Sequence, residues 1–377
     1  MIVPDKIGLY IHVPFCLSKC PYCDFYSLPL PGEEALDAYT EAVLVALDSW
    51  AEQLGRPEAD TLYFGGGTPS LLGGGRLARI IGRAAARFGL AGAEITLEAN
   101  PGDDLLPVFQ AFAGAGGNRV SLGMQAAEDE ALLRLGRRHR TEQVEKAAGD
   151  ARAAGLDNLS LDLMLATEGQ TSASIARAVA FCRRLNARHV SAYLLKIEEN
   201  TPFARERARL RLPGEEESAG LYEYACEALE GAGFQQYEIS NFAQTGWESR
   251  HNRKYWESAP YLGIGPAAHS CLNGRRFAYP RDLAAFLAGS PPTEEPASLL
   301  DAREEYAMLR LRLTEGLLES AYRARFGEPL PPAWRRRAEN LLRLTPRPLL
   351  VCDKDGIRLT RAGFLLSNSV IGHILGP

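Results

Sequence analysis

Six short apolar runs, at residues 7–13, 61–64, 94–98, 119–124, 159–165 and 190–197, are separated by stretches whose apolar residues recur at helical spacing, such as 33–54 and 172–185. Six such repeats require a parallel sheet with helices outside it, because parallel neighbours are joined through long crossovers. An open doubly wound sheet and an incomplete barrel both satisfy that pattern. The chemically distinctive loops all follow the C-terminal ends of the runs, where barrel active sites are built. The expected fold class is therefore α/β, a partial (βα)6 TIM-like barrel.

After residue 200 the pattern changes. A helical stretch at 215–233 is followed by a strand-like segment at 237–242 (YEISNF) and an aromatic and glycine-rich stretch at 251–280. A Pro/Glu-rich linker spans 290–298 (SPPTEEPAS). Beyond it the spacing predicts helices over 300–313 and 332–344, a hairpin turning at Lys354-Asp355-Gly356, and a helix over 361–375. Helix, hairpin and helix together indicate a smaller winged-helix-like α+β C-terminal domain. The expected division is a barrel core over 1–200, a barrel extension over 201–290 and the C-terminal domain over 291–377.

Hydrophobic residues at 46% and charged residues at 24% are ordinary globular values, which excludes a disordered chain. No apolar run is long enough to span a bilayer, so any membrane contact is expected to be peripheral. The net charge of −5 argues against a general nucleic-acid binder, and the C-terminal module is read as a packing or partner module. Of 42 basic residues 36 are arginine, so a single arginine carries little information by itself. The first fifteen residues lack the features of a secretory signal, and a cytoplasmic chain is expected.

Cys16, Cys20 and Cys23 fall within eight residues in the loop after the first strand, whereas Cys182, Cys226, Cys271 and Cys352 are scattered and read as small buried hydrophobes. Three clustered thiolates are the informative count. A structural zinc takes four protein ligands, and neither His12 nor the remote cysteines offer an obvious fourth; the zinc reading needs a distant one. A four-iron cluster held by three cysteines keeps one iron open to an exogenous ligand, which is how metals do chemistry.

The CxxxCxxC loop resembles that of the radical SAM superfamily, in which a [4Fe–4S] cluster on three cysteines binds S-adenosyl-L-methionine (SAM) through its open iron and cleaves it to a 5′-deoxyadenosyl radical. The resemblance implies cluster ligation by Cys16, Cys20 and Cys23. It implies SAM contacts from Tyr10, Tyr22, Gly66, Gly67, Thr68, Glu98, Gln125, Arg137 and Asp162, in the family's order. The Gly65-Gly66-Gly67-Thr68-Pro69 loop after the second strand would let the ligand approach closely and leave N–H groups free for it. Asn100 also stands at a strand end, as a contact or a cap, while Arg138 is expected on the surface.

Across the whole chain the sequence is similar to the oxygen-independent coproporphyrinogen oxidase group, and within it to the heme chaperone subfamily. The matching segments are 10–16 (YIHVPFC), 20–27 (CPYCDFYS), 64–70 (FGGGTPS), 121–125 (SLGMQ), 135–139 (LGRRH), 197–203 (IEENTPF) and 359–370 (LTRAGFLLSNSV). Two features favour chaperone over oxidase: only fifteen residues precede Cys16, where the oxidases carry an extension, and a HisAsnxxTyrTrp motif is present as His251-Asn252-Arg253-Lys254-Tyr255-Trp256. Histidine is a natural heme ligand and aromatics suit a porphyrin face. The resemblance thus implies heme binding by His251, Asn252, Tyr255 and Trp256, acceptor hemoproteins as partners, and an electron donor for the cluster. His269 has no implied role, His12 and His139 are expected to be structural, and His189 and His373 carry no motif.

Two departures stand out. The family's GlyLeuProGlyGlnThr-like loop is replaced by Ala166-Thr167-Glu168-Gly169-Gln170-Thr171, which is expected to alter the backbone and add a charge near the mouth. Gln125 is followed by Ala126-Ala127 in place of a small residue and an aromatic. The competing readings are a coproporphyrinogen oxidase acting on porphyrinogen propionates, and a zinc-stabilised barrel with a nucleic-acid module.

Overall fold

A computed structural model describes residues 6–295, 301–345 and 347–376. Six parallel strands run in chain order: β1 (Lys6–Val13), β2 (Glu58–Gly66), β3 (Glu94–Ala99), β4 (Arg119–Gln125), β5 (Asn158–Leu165) and β6 (His189–Leu194). Helices α1 (Glu33–Leu54), α2 (Gly74–Phe88), α3 (Leu106–Gly114), α4 (Thr141–Ala153) and α5 (Ser172–Arg184) lie among the crossovers. The predicted strands and helices fall within a few residues of these bounds. The sixth strand is shorter than its apolar run, ending at Leu194.

Alternation along each strand divides the barrel into two chemistries. Ile7, Leu9, Ile11 and Val13 of β1, and their counterparts Leu62, Leu97, Leu122 and Leu161, pack outward in the main core with the helices. The opposite parity is polar and still buried: Thr61, Thr96, Arg119, Ser121, Ser160, His189 and Ser191. TIM-type lumens are ordinarily filled by branched apolar side chains. Here the lumen is a hydrogen-bonded polar interior, and this is what positions the site.

The sheet continues past both edges of the six-stranded core. After helix α6 (Glu215–Gly231), strand β7 (Asn241–Ala243) pairs antiparallel with β6; β8 (Tyr261–Ile264) runs parallel beside β1, followed by β9 (His269–Leu272) and β10 (Arg275–Ala278). The segment expected as one strand over 237–242 is instead mostly the turn before β7. Within it, buried Glu238 bridges to Leu313 rather than to a sheet neighbour.

Helix α7 (Arg250–Trp256) closes the N-terminal end of the barrel. Glu94, at the start of β3, accepts the backbone N–H groups of Arg250 and His251 at 3.2 and 3.1 Å, so a carboxylate sits at the helix N-terminus. Lys254 pairs with Asp60 at 2.7 Å.

A second core around Tyr306, Tyr322, Trp334, Leu350, Phe364 and Ile374 organises the C-terminal residues, with hairpin strands β11 (Leu350–Asp353) and β12 (Gly356–Leu359) between helices. The helix expected over 361–375 breaks at Leu366 into Arg361–Leu365 and Ser367–Leu375. The helix expected over 300–313 spans Ala302–Arg310, and Leu300, with 296–298 of the linker, lies outside the described residues. Among the described residues no helix is long and apolar enough to cross a membrane.

Candidate radical SAM site

The cysteine loop leaves the C-terminal end of β1. A short strand pair, Phe15–Cys16 with Leu28–Pro29, ties its two ends, Cys23 N–H donates to the Cys20 carbonyl at 3.1 Å, and Lys19 Nζ donates to the Phe25 carbonyl at 2.8 Å. All three cysteines are free and half-buried. Thr68 Oγ1 lies 3.6 Å from Cys16 Sγ, and Arg137 Nη1 lies 3.2 Å from Cys20 Sγ. Burial pushes the Cys16 and Cys23 thiols up, so a bound cation is what would stabilise them as thiolates.

Among the described residues no group of three or more His, Cys, Asp and Glu side chains closes around a single ion. The three cysteines would suit a multi-iron cluster, in which each thiolate binds a different iron and the three need not meet at one point.

The glycine loop acts differently from its expected role. Gly67 N–H donates to the Val13 carbonyl and Thr68 N–H to the Phe15 carbonyl, both at 2.8 Å, so these groups lock the loop onto the cysteine loop and are not free for a ligand. Close approach is the glycines' contribution. A Cβ on Gly67 would stand 2.6 Å from the Phe15 carbonyl oxygen, and one on Gly66, at φ +109°, would stand 2.6 Å from the His12 ring.

Five expected SAM contacts, Thr68, Glu98, Gln125, Arg137 and Asp162, gather at or near the strand ends. Asn100 bridges two of them, donating to Thr68 Oγ1 at 2.7 Å and accepting from Arg137 Nη2 at 2.5 Å. Arg137 also donates to the Gly123 carbonyl at 3.0 Å, and its Nε is buried with no partner among the described residues. Glu98 accepts from Tyr63 at 2.7 Å, and desolvation pushes its carboxyl up to about 7. Asp162 accepts from Ser121 at 3.1 Å, and burial raises it too. Gln125 closes β4 in the left-handed region at φ +65°, a strain that clusters at binding sites.

Two further members are tyrosines, of which Tyr22 stands against Arg137 and Cys20. Tyr22, its phenol raised by burial, packs 6.1 Å from Phe203, whose N–H donates to the Pro21 carbonyl. Tyr10 sits deeper in the lumen, with its hydroxyl 3.1 Å from His12 Nδ1 and its ring 6.2 Å from Tyr63. Arg138 is exposed, as expected.

The sequence reading missed Phe203, which closes the far side of the cysteine loop, and Tyr63, Ser121 and Arg119, which surround the acidic pair in the lumen. For Tyr63, Ser121 and Arg119 the signal was the alternation along the strands, which apolar runs conceal.

The HisAsnxxTyrTrp residues are not assembled around one face. His251 is 1% exposed; its Nδ1 is 2.8 Å from Thr61 Oγ1 and its Nε2 is 2.9 Å from the Tyr255 hydroxyl. Tyr63 stacks on it at 5.0 Å, and burial lowers its pKa to about 3. Trp256 faces the other way, under the Arg312 guanidinium at 5.7 Å, while Asn252 N–H is spent on the Ser249 cap. With both ring nitrogens engaged at the barrel floor, the imidazole is closed to an iron here. Of the other histidines, His12 and His139, expected to be structural, are buried in hydrogen bonds, as is His189, while His373 is exposed.

At the atypical loop, Ala166 stands in the left-handed region at φ +57°, and Gln170 closes the turn by accepting from Ala166 N–H at 2.7 Å and donating to the Met164 carbonyl at 2.8 Å. The chain reaches by side-chain hydrogen bonding a conformation that a glycine adopts freely.

Comparison with known proteins agrees with this geometry. Residues 10–182 match the radical SAM superfamily model, and residues 297–366 match the HemN C-terminal domain. The chain is 37% identical to heme chaperone HemW of Mycobacterium tuberculosis, covering 99% of this chain and 95% of that protein. It is 38% identical to heme chaperone HemW of Escherichia coli over 86% of each. The structure of E. coli coproporphyrinogen III oxidase (HemN), a radical SAM enzyme, superposes with a TM-score of 0.83 at 21% identity, over 99% of this chain and 90% of that one, which shows the fold. This chain belongs to the radical SAM superfamily and, within it, to the family of heme chaperone HemW.

Proposed function

We propose that this protein binds heme and passes it to acceptor hemoproteins in the cytoplasm, with its radical SAM centre in a supporting role. What carries the reading is similarity over nearly the full length to proteins named heme chaperones. Cys16, Cys20 and Cys23 would hold the [4Fe–4S] cluster. Gly66, Gly67, Thr68, Glu98, Gln125, Arg137 and Asp162 would hold SAM, with Tyr22 near one end and Tyr10 below.

When bound, the cluster supplies SAM with single electrons from an external donor. The protein's own residues do the positioning. Arg137 places a positive charge against Cys20, Asn100 fixes Arg137 relative to Thr68, and Tyr63 and Ser121 orient the carboxyls of Glu98 and Asp162.

For His251, Asn252, Tyr255 and Trp256 to meet heme, α7 must leave the barrel floor and break the Thr61 and Tyr255 contacts. Heme loading through His251 would therefore increase amide hydrogen exchange over 250–256.

The deciding experiment uses the anaerobically purified protein. Iron and sulfide analysis should give one four-iron cluster per chain, hemin titration should saturate at one heme, and coproporphyrinogen should release no carbon dioxide. Zinc in place of iron, absence of heme uptake, or carbon dioxide release would each overturn the reading.

A further inference from the structure

An imidazole open to an iron lies at the barrel mouth. His269 begins β9, and its side chain is 64% exposed. Its Nδ1 is held by the Glu295 carboxylate, and Nε2 has no hydrogen-bond partner among the described residues. A carboxylate on Nδ1 fixes the tautomer and aims the ring, an arrangement found behind metal-binding histidines. The four buried histidines all lack such a free nitrogen or an open path.

Around His269 the surface suits a flat apolar ring with anionic edges. Gly265, at the end of the β8 segment, lies against the His12 carbonyl, which places the 265–269 turn beside the top of β1. His12 Nε2 lies 2.9 Å from the Tyr26 carbonyl oxygen, so the 24–26 segment reaches the same rim. Arg281 donates to the Asp24 carbonyl at 3.2 Å and lies 5.9 Å from the Tyr26 ring, next to Phe25, which is 66% exposed just after the last cluster cysteine.

We propose that His269 Nε2 is the axial ligand for heme iron at the mouth, with Glu295 orienting it, Arg281 meeting a propionate and Phe25 covering the macrocycle. The proposal rests on the heme-binding reading above but not on His251. Heme arriving at this rim needs no opening of the barrel floor.

Hemin titration of the cluster-loaded protein, followed by Soret absorbance, tests it against His269→Ala and Glu295→Gln, with iron and sulfide content as the check on folding. His269→Ala should weaken heme binding by about tenfold or more and shift the Soret band, with millimolar imidazole restoring the wild-type spectrum. Glu295→Gln should weaken binding by about tenfold, as loss of an outer-shell partner does. Wild-type affinity and spectrum in His269→Ala would overturn the ligand role while leaving the heme reading intact, as would weakened binding without imidazole rescue. A wild-type protein that takes up no heme would overturn the heme reading itself.

Discussion

Arg137 and Cys20 stand 117 positions apart in the chain, and the guanidinium of one lies 3.2 Å from the sulfur of the other. A positive charge against a cluster sulfur stabilises the electron-rich reduced state and so sets the potential, and the same guanidinium is anchored by Asn100 and the Gly123 carbonyl. Arg137→Ala should move the cluster potential to more negative values, read by anaerobic titration. SAM affinity should fall by about tenfold or more, since a hydrogen bond to a charged group is worth about 1.5–3 kcal/mol. An unchanged potential would separate Arg137 from the cluster.

Glu98 offers a pH test. Its carboxyl, buried beside Tyr63 and Asp162, is pushed up to about 7, whereas an unfolded glutamate titrates near 4.3. Between those values the native state holds a proton that the unfolded state has released. This contribution to stability is therefore present below the unfolded pKa and lost as pH rises through the folded one. The unfolding free energy of the SAM-free protein, measured by denaturant, should fall between pH 5 and 8 by more in the wild type than in Glu98→Gln, by on the order of 2 kcal/mol. Parallel curves for the two proteins would refute the assignment.

Much of this architecture was legible in the sequence, and the boundary of legibility has a physical cause. Apolar periodicity marks the outward faces of β1 to β6, and the cysteine spacing marks the loop, because both depend on local order. Arg119, Tyr63 and Ser121 depend on which strands become neighbours, so their pairing across the lumen cannot be read from local spacing. His251 illustrates the limit. Its motif shows a histidine with aromatic companions, yet only the docking of α7 against Glu94 decides that the imidazole points into the lumen and Trp256 toward Arg312. The segment 237–242 erred for a similar reason, since Glu238 takes its partner from the C-terminal part of the chain.

Gly67 is fixed by its neighbours' backbone. A methyl group there would meet the Phe15 carbonyl oxygen at 2.6 Å and the Val13 carbonyl oxygen at 2.9 Å, and backbone cannot give way as a flexible side chain can. Gly67→Ala should destabilise the protein by about 1–3 kcal/mol and displace the cysteine loop, so that iron content after reconstitution drops. Full iron loading in a destabilised variant would show that the loop tolerates the shift.

Ala166 allows the opposite experiment. At φ +57° an alanine carries a steric cost that glycine avoids, about 1–2 kcal/mol for a non-glycine residue in that region, offset in part by glycine's greater freedom in the unfolded chain. Ala166→Gly should raise the stability by up to about 1 kcal/mol, measured by denaturant unfolding. A loss of stability would mean that the methyl group's packing outweighs the strain.

His251 tests whether α7 is a structural plug. The buried imidazole bonds Thr61 through Nδ1 and Tyr255 through Nε2, and its pKa is lowered to about 3 against an unfolded value near 6.5. A group depressed in this way stays neutral in the native state while the unfolded chain gains a proton. Its contribution is thus intact above the unfolded pKa and lost progressively as pH falls from 6.5 toward 3. His251→Phe removes the titrating group and leaves both hydroxyls unpaired. It should lower stability at pH 7.5 by about 3 kcal/mol or more, while its loss of stability on acidification to pH 5 should be shallower than the wild type's. Heme uptake measured on the same preparations separates the two roles of this residue: a variant with wild-type stability that no longer binds heme would make His251 a ligand and not a plug, whereas a destabilised variant that still saturates with heme would leave it to the barrel floor.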